Sequence, residues 1–368
     1  MNRNDIYLIH GTDYLEMTKE LLEAAGLADM IGDKGASIGI KPNLVAASAP
    51  SSGATTHGEL LAGIIEYLQE RGFSRITVME GSWVGADTRQ AFQAAGYEPI
   101  LRRYKVPFVN LQKDSFQEYD AAGMRIKVCD TARSVDFMIN VPVLKGHCQT
   151  TVTCALKNNK GVIPNSEKRR FHTLGLHKPI AHLNTVARND FILVDNICGD
   201  LDFEEGGNPV SMDRVLGFAD PVLCDAFVCD TMGFSVSDVP YIKMAENLGV
   251  GSSDLKKAKL HMLNEPSAAS VVKKPSRRVE KLSRYVHADH ACSACYGSLI
   301  HALNRMDEAG LLDKKLLKNP IAIGQGWQGK TGKIGIGRCC GSCAHSLKGC
   351  PPGAGDILEF LETCWKDD

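Results

Sequence analysis

The 368-residue chain lacks several common features, and each absence removes a class of function. No apolar run approaches the roughly 20 residues that cross a bilayer, so the sequence predicts no membrane partner. The opening Met1-Asn-Arg-Asn-Asp-Ile-Tyr-Leu-Ile-His runs directly into a strand-like segment, with no secretory apolar region before it. Charge of one sign is also missing. Against 42 basic residues stand 43 acidic ones, and a net charge of −1 gives no bulk attraction to nucleic acid or membrane. There is no helix-turn-helix pattern, basic patch, internal repeat or low-complexity tract. Cysteine, by contrast, is plentiful. The count of 13 is odd and unevenly spread, which argues against a disulfide framework and for a reducing cytoplasm.

Seven of those cysteines fall within the last 77 residues. Tyr285-Val-His-Ala-Asp-His-Ala-Cys292-Ser-Ala-Cys295 carries one Cys-x-x-Cys pair. Cys340-Gly-Ser-Cys343 is the other, flanked by Cys339 and by Cys350-Pro351-Pro352. The tight turn within such a pair brings both sulfurs to one side, and four thiolates close a site for Zn²⁺ or an iron–sulfur cluster. The 44 residues between the pairs exceed ordinary zinc spacing, and zinc would leave Cys339 and Cys350 unused. Iron–sulfur is therefore favoured over zinc.

Residues 1–265 alternate short β-branched runs with helical patterns, which predicts an α/β fold with a mostly parallel sheet covered by helices on both faces. The expected strands are Ile6–His10, Ser37–Lys41, Arg75–Glu80, Val106–Leu111, Phe137–Leu144 and Phe191–Asp195. Helices are expected over Leu15–Ala28, Gly58–Gly72 and Thr88–Gly96, and a hairpin over Gln117–Asp130. Residues 266–281, polar and aperiodic, read as a linker. Residues 282–368 then form a small cysteine-rich cluster module.

Open α/β sheets bind ligands at the carboxyl ends of their strands. Lys41, Glu80, Lys145 and Asp195 stand at such ends, with Asn43 just beyond the first. Between Lys145 and Asp195 lies an unusually polar segment that includes His147, Lys157, Asn158, Lys160, Arg169, Arg170, His172 and His177. Lysines beside histidines suit a small anionic ligand, a carboxylate or phosphate, with Lys145, His147, Lys157 and His172 able to hold an oxyanion and move a proton. The binding groups would be Lys41, Asn43, Glu80, Asn158, Lys160 and Asp195. Cys148, Cys154, Cys198, Cys224 and Cys229 have no ligand spacing and read as packing thiols. His182 reads as structural, and Asp225 and Asp230 as caps or flanks of a helix.

Gly324-Gln-Gly-Trp-Gln-Gly329-Lys330-Thr331 matches the phosphate-loop pattern, but that mechanism needs a helix to start at the Lys-Thr. Gly332, Gly335 and Gly337 follow instead, so the loop is read as a flexible neighbour of the metal centre.

Several runs occur together in an order that resembles the DUF362 family. They are Ile40-Lys41-Pro42-Asn43-Leu44-Val45, Gly53-Ala-Thr-Thr56, Met79-Glu80-Gly81-Ser82, Lys145-Gly-His147 and Thr153-Cys-Ala-Leu-Lys157-Asn158-Asn159-Lys-Gly161. Phe171-His172, Ile192–Asp195 and Gly249-Val-Gly251 extend the resemblance over roughly residues 6 to 260. The chain's end resembles the cluster-binding tail of such proteins. That resemblance implies a 4Fe-4S cluster on Cys292, Cys295, Cys339 and Cys350, with Cys340 and Cys343 as alternates. It implies little about activity. Two functions are compatible: a redox or electron-transfer protein working with a redox partner protein, or a non-redox isomerase or lyase whose metal module is structural.

Overall fold

The computed structural model describes residues 1–266, 277–312 and 317–366. It divides into two compact units, Met1–Lys168 with Leu176–Lys274, and Arg169–Gly175 with Pro275–Asp368. Most of the expected linker lies outside the described residues. Its end does not: Arg278–Ser283 is helical.

The first unit is built on an eight-stranded sheet. Reading across it, the strands are Lys259–Met262, Asp5–His10, Pro209–Phe218, Phe191–Asp200, Phe137–Val141, Ile38–Pro42, Ile76–Glu80 and Phe108–Asn110. All run parallel except Pro209–Phe218, which is antiparallel to both neighbours. Ile38–Pro42, Phe137–Val141 and Phe191–Asp200 are buried along their whole length, which is why they read as nearly continuous apolar runs. Two strands were not anticipated, Pro209–Phe218 and Lys259–Met262. The first follows an acidic Gly-Gly turn and mixes polar with apolar residues, because its beginning is exposed and only its second half enters the core.

The helices follow their apolar spacing. Gly58–Glu70 buries Leu60, Leu61, Ile64, Ile65 and Leu68. The single helix expected over Leu15–Ala28 is two, Tyr14–Ala25 and Leu27–Ile31, because Gly26 takes the left-handed conformation at φ 68° and ends the first. Its start is capped by the Asp13 carboxylate, which accepts from the Glu16 N–H. The expected hairpin forms as Phe116–Ala121 against Met124–Cys129. His182 is structural as expected, its Nδ1 lying 2.8 Å from the Ala121 carbonyl. Asp225 and Asp230 do not cap a helix. They lie within Pro221–Thr231, whose cap is Asp220, accepting from Val222 and Leu223.

The second unit contains a four-stranded, wholly parallel sheet in the order Val286–Ala288, Ile321–Ile323, Ile334–Ile336, His345–Leu347. Helices Ser293–Glu308 and Ala354–Lys366 accompany it. No helix among the described residues is long and apolar enough to cross a membrane.

Candidate functional site

Two constellations stand out, one in each unit. In the first, the strand ends bring together charges that are distant in sequence. Lys41 and Glu80 leave adjacent strands, and their side chains pair at 2.5 Å with both residues buried. Gly161 leaves no room beside them: a Cβ there would lie 1.8 Å from Glu80 Oε1 and 2.7 Å from Lys41 Nζ. Asn43 and Asn158 continue the network. Asn43 Nδ2 donates to Asn158 Oδ1 at 2.9 Å, and Asn158 Nδ2 donates to Asn140 Oδ1 at 2.7 Å. Paired amides of this kind satisfy each other where water does not reach.

Beyond Val141 the chain forms a small hairpin, Lys145–His147 against Thr151–Thr153, followed by the short helix Ala155–Asn158. Lys145 is fully buried, and its ammonium donates to Asn43 Oδ1, the Ala54 carbonyl and the Glu204 carbonyl at 3.2, 2.6 and 2.9 Å. Burial lowers its pKa to about 8, a shift that Glu204 opposes. His147 accepts at Nδ1 from the N–H groups of Gln149 and Thr150, which puts the ring proton on Nε2. That nitrogen lies 2.9 Å from Glu204 Oε2 but without hydrogen-bond alignment. Burial and then Lys157 hold His147 neutral, with a pKa of about 4.

Lys157 pairs with the other oxygen of Glu204 in a very close contact, both side chains more than nine-tenths buried. Burial alone would raise the Glu204 carboxyl, yet Lys157, His147 and Lys145 together hold it well below its ordinary value. Glu204 is thus the hub of this cluster, and no sequence motif marked it. It sits 47 positions from Lys157 in the loop between two strands. Lys160 is half-buried and adds positive charge near His147. Lys168 was not anticipated as part of a site; it is buried and donates to the Gly81 and Ser82 carbonyls at 2.8 Å each. His172 lies on the Arg169–Gly175 segment and so belongs to the second unit, as do Arg169 and Arg170, both exposed.

Asp195 sits mid-strand rather than at a strand end. Its partner is His57, whose Nδ1 is 2.9 Å from Asp195 Oδ2. Two of the supposed packing thiols are not isolated either. Cys154 and Cys224 sulfurs are 3.7 Å apart, and with an Asp225 oxygen they lie within 4.8 Å of one another, the spacing of ligands to one ion. Burial pushes Asp225 up to about 7.

The second constellation is the cysteine site. The four parallel strands end in register at Ala288, Ile323, Ile336 and Leu347. Each chain then leaves from the same edge, toward Cys292, Gln325, Cys339 and Cys350 respectively. Cys292 caps the helix Ser293–Glu308, which puts Cys295 in its first turn. Cys295 is pushed up to about 12 by burial and by the company of Cys292, Cys340, Cys339 and Cys350. A metal bound among these sulfurs would take them in the deprotonated form.

The surroundings fit a metal cluster. Gln325 Nε2 donates toward Cys292 Sγ at 3.5 Å and Gln328 Nε2 toward Cys339 Sγ at 3.8 Å. Gly337, at φ 90°, leaves space that a Cβ would fill at 3.1 Å from Cys295 Sγ. Cys343 differs: it packs with Cys340, Ala322 and Trp327 in an apolar cluster. No helix starts at Lys330-Thr331, as expected, and Lys330 pairs with Asp289 at 2.9 Å.

The model for a domain of unknown function, DUF362, matches residues 38–230, more than half of the chain. The chain belongs to the DUF362 family. It is also similar to a thylakoid-associated protein of Synechocystis sp., 24% identical over 247 residues that cover 64% of this chain and 75% of that one. Among solved structures it is similar to the lactate racemase apoprotein of Thermoanaerobacterium thermosaccharolyticum, with a TM-score of 0.40 and 12% identity over 63% of this chain. It spans 57% of that racemase. A Thermotoga maritima protein is similar at 16% identity and a TM-score of 0.37, over 60% of this chain and 59% of that one. The DUF362 match covers the lysine–asparagine network and stops short of the cysteine tail.

Proposed function

We propose that this DUF362 protein is an iron–sulfur protein in which a 4Fe-4S cluster on Cys292, Cys295, Cys339 and Cys350 exchanges electrons with a redox partner protein. We further propose that its α/β unit holds a small anionic ligand. The observation that carries the reading is the arrival of thiols from three in-register strand ends around Cys295, with glutamine amides aimed at two of the sulfurs. Bound there, the cluster supplies one-electron transfer. The chain's own contribution is to hold it and tune it: N–H donors to sulfur stabilise negative charge and shift the reduction potential.

In the α/β unit, Glu204 lies where an anionic ligand would pair with Lys157 and Lys145. A ligand carboxylate or phosphate would take over contacts that Glu204 now makes.

The test is iron, zinc and acid-labile sulfide content on protein purified without oxygen, with its visible spectrum before and after reduction. About four irons and four sulfides per chain, with absorption that bleaches and returns, supports the reading. One zinc without sulfide, or a cluster destroyed by reduction, sinks it.

One set of observations favours a second reading, non-redox proton transfer. Lys145, lowered by burial to about 8, is a group able to move a proton near neutral pH. Unaltered ligand binding in His147→Gln and Lys157→Met would defeat it.

A further inference from the structure

Asp195, His57 and Cys198 form a relay that neither the lysine network nor the cysteine tail uses. Asp195 Oδ2 holds the His57 ring at Nδ1, 2.9 Å away, and accepts the His57 backbone N–H at 2.7 Å. The other oxygen of Asp195 accepts the Ile197 N–H at 3.1 Å, so the carboxylate is fixed from two sides. Across the ring, His57 Nε2 faces Cys198 Sγ at 3.7 Å.

A carboxylate on one imidazole nitrogen and a nucleophile on the other is the arrangement of triad hydrolases, recognised by geometry and not by position in sequence. Residues three apart on a regular strand point to opposite faces. Here the pairing register slips between Asn196 and Cys198, and this bulge turns the thiol to the side that Asp195 and His57 share.

Beside the ring opens a cleft of about 440 Å³, lined by His57 with Leu15, Ala62, Ala95 and Ile100, and with Glu59 as its carboxylate. Cys198 does not itself line the cleft; its thiol donates to the carbonyl of Pro50, which does, at 3.6 Å. Burial would lower His57, but Asp195 outweighs it and raises the ring to about 10. The ring nitrogen that can exchange a proton with the thiol thus stands directly beside the sulfur.

We propose that Cys198, His57 and Asp195 form an acyl-transfer site for uncharged esters or thioesters with a small apolar acyl group. His57 takes the thiol proton, the Cys198 sulfur bonds to the carbonyl carbon, the bond to the leaving alcohol or thiol breaks, and His57 passes the proton to that group. Water then attacks the Cys198 thioester and returns a proton to His57, the carbon–sulfur bond breaks, and the carboxylic acid leaves. Asp195 orients the ring throughout.

The probe is p-nitrophenyl acetate applied to the full chain, with acetylated cysteines mapped by mass spectrometry. Cys198, only 7% exposed, should be acetylated ahead of the wholly buried Cys129, with a matching burst of nitrophenolate. That rate should fall on the order of 100-fold in His57→Gln. An unchanged Cys198 rate in His57→Gln overturns the proposal. If that variant does not fold, the wild-type comparison decides: Cys198 reacting no faster than Cys129 overturns it as well.

Discussion

Replacing Glu204 with glutamine keeps the shape of the side chain and removes the charge on which the lysine cluster depends. Lys157 would be left with more than nine-tenths of its side chain buried and without its paired carboxylate. Leaving one partner of such a pair alone costs about 3–5 kcal/mol. For a unit of this size that is a fall in Tm on the order of 10 °C. Lys157→Met should cost a similar amount, since it strands the carboxylate instead. The double variant Lys157→Met with Glu204→Gln should lose much less than the sum, because neither charge is then left buried without its partner. Thermal unfolding followed by circular dichroism completes the cycle. A double variant as unstable as the two singles added together would refute the coupling. The pH dependence gives a second check. Glu204 is depressed in the folded chain, so its contribution is whole above the ordinary value of 4.5 and is lost as pH falls through the lower native value. The gap between wild type and Glu204→Gln should therefore narrow in acid, and a gap that widens would contradict the sign.

The remaining predictions concern single residues. His147 should stay neutral, with its proton on Nε2, from pH 8 down to about pH 5, as its folded pKa of about 4 requires; a ring that charges near 6.5 in nitrogen NMR would refute this. Between pH 6.5 and 4 the unfolded chain binds a proton that folded His147 does not, so stability contributed there is lost as pH falls. Gly161→Ala should destabilise by about 3 kcal/mol or more by forcing Lys41 and Glu80 apart, whereas Gly355→Ala, which meets nothing within 4 Å, should be neutral or slightly stabilising. Cys343→Ser should retain iron, since that thiol packs with Ala322 and Trp327, while Cys339→Ser should lose it; equal iron in both, read by metal analysis, would overturn the ligand set.

Much of this protein was legible in the sequence because the signals were local. The runs at Ile38–Pro42, Phe137–Val141 and Phe191–Asp195 carry a period and an apolar continuity that any short window reveals, and they predicted a mostly parallel sheet. The Cys292–Cys295 pair was legible for the same reason, since bringing two thiols to one side is a property of four consecutive residues, whereas the Cys340–Cys343 spacing gave no hint that Cys343 packs against Ala322 and Trp327. Lys41, Glu80 and Lys145 were legible as charges at or near strand ends; Asp195 read the same way but sits mid-strand. What they touch was not. Glu204 meets Lys157 across 47 positions and Cys198 meets His57 across 141, and neither distance leaves a periodic trace. Such partnerships depend on which strands lie side by side, and strand order is decided by how whole helices and sheets cover one another. The register of four short strands sets Cys292, Cys339 and Cys350 leaving one edge, and one bulge decides which way Cys198 faces. The sequence by itself determined the elements and the chemistry available to them. Only the tertiary structure decided which groups meet, because pairing across the sheet is a property of long-range packing.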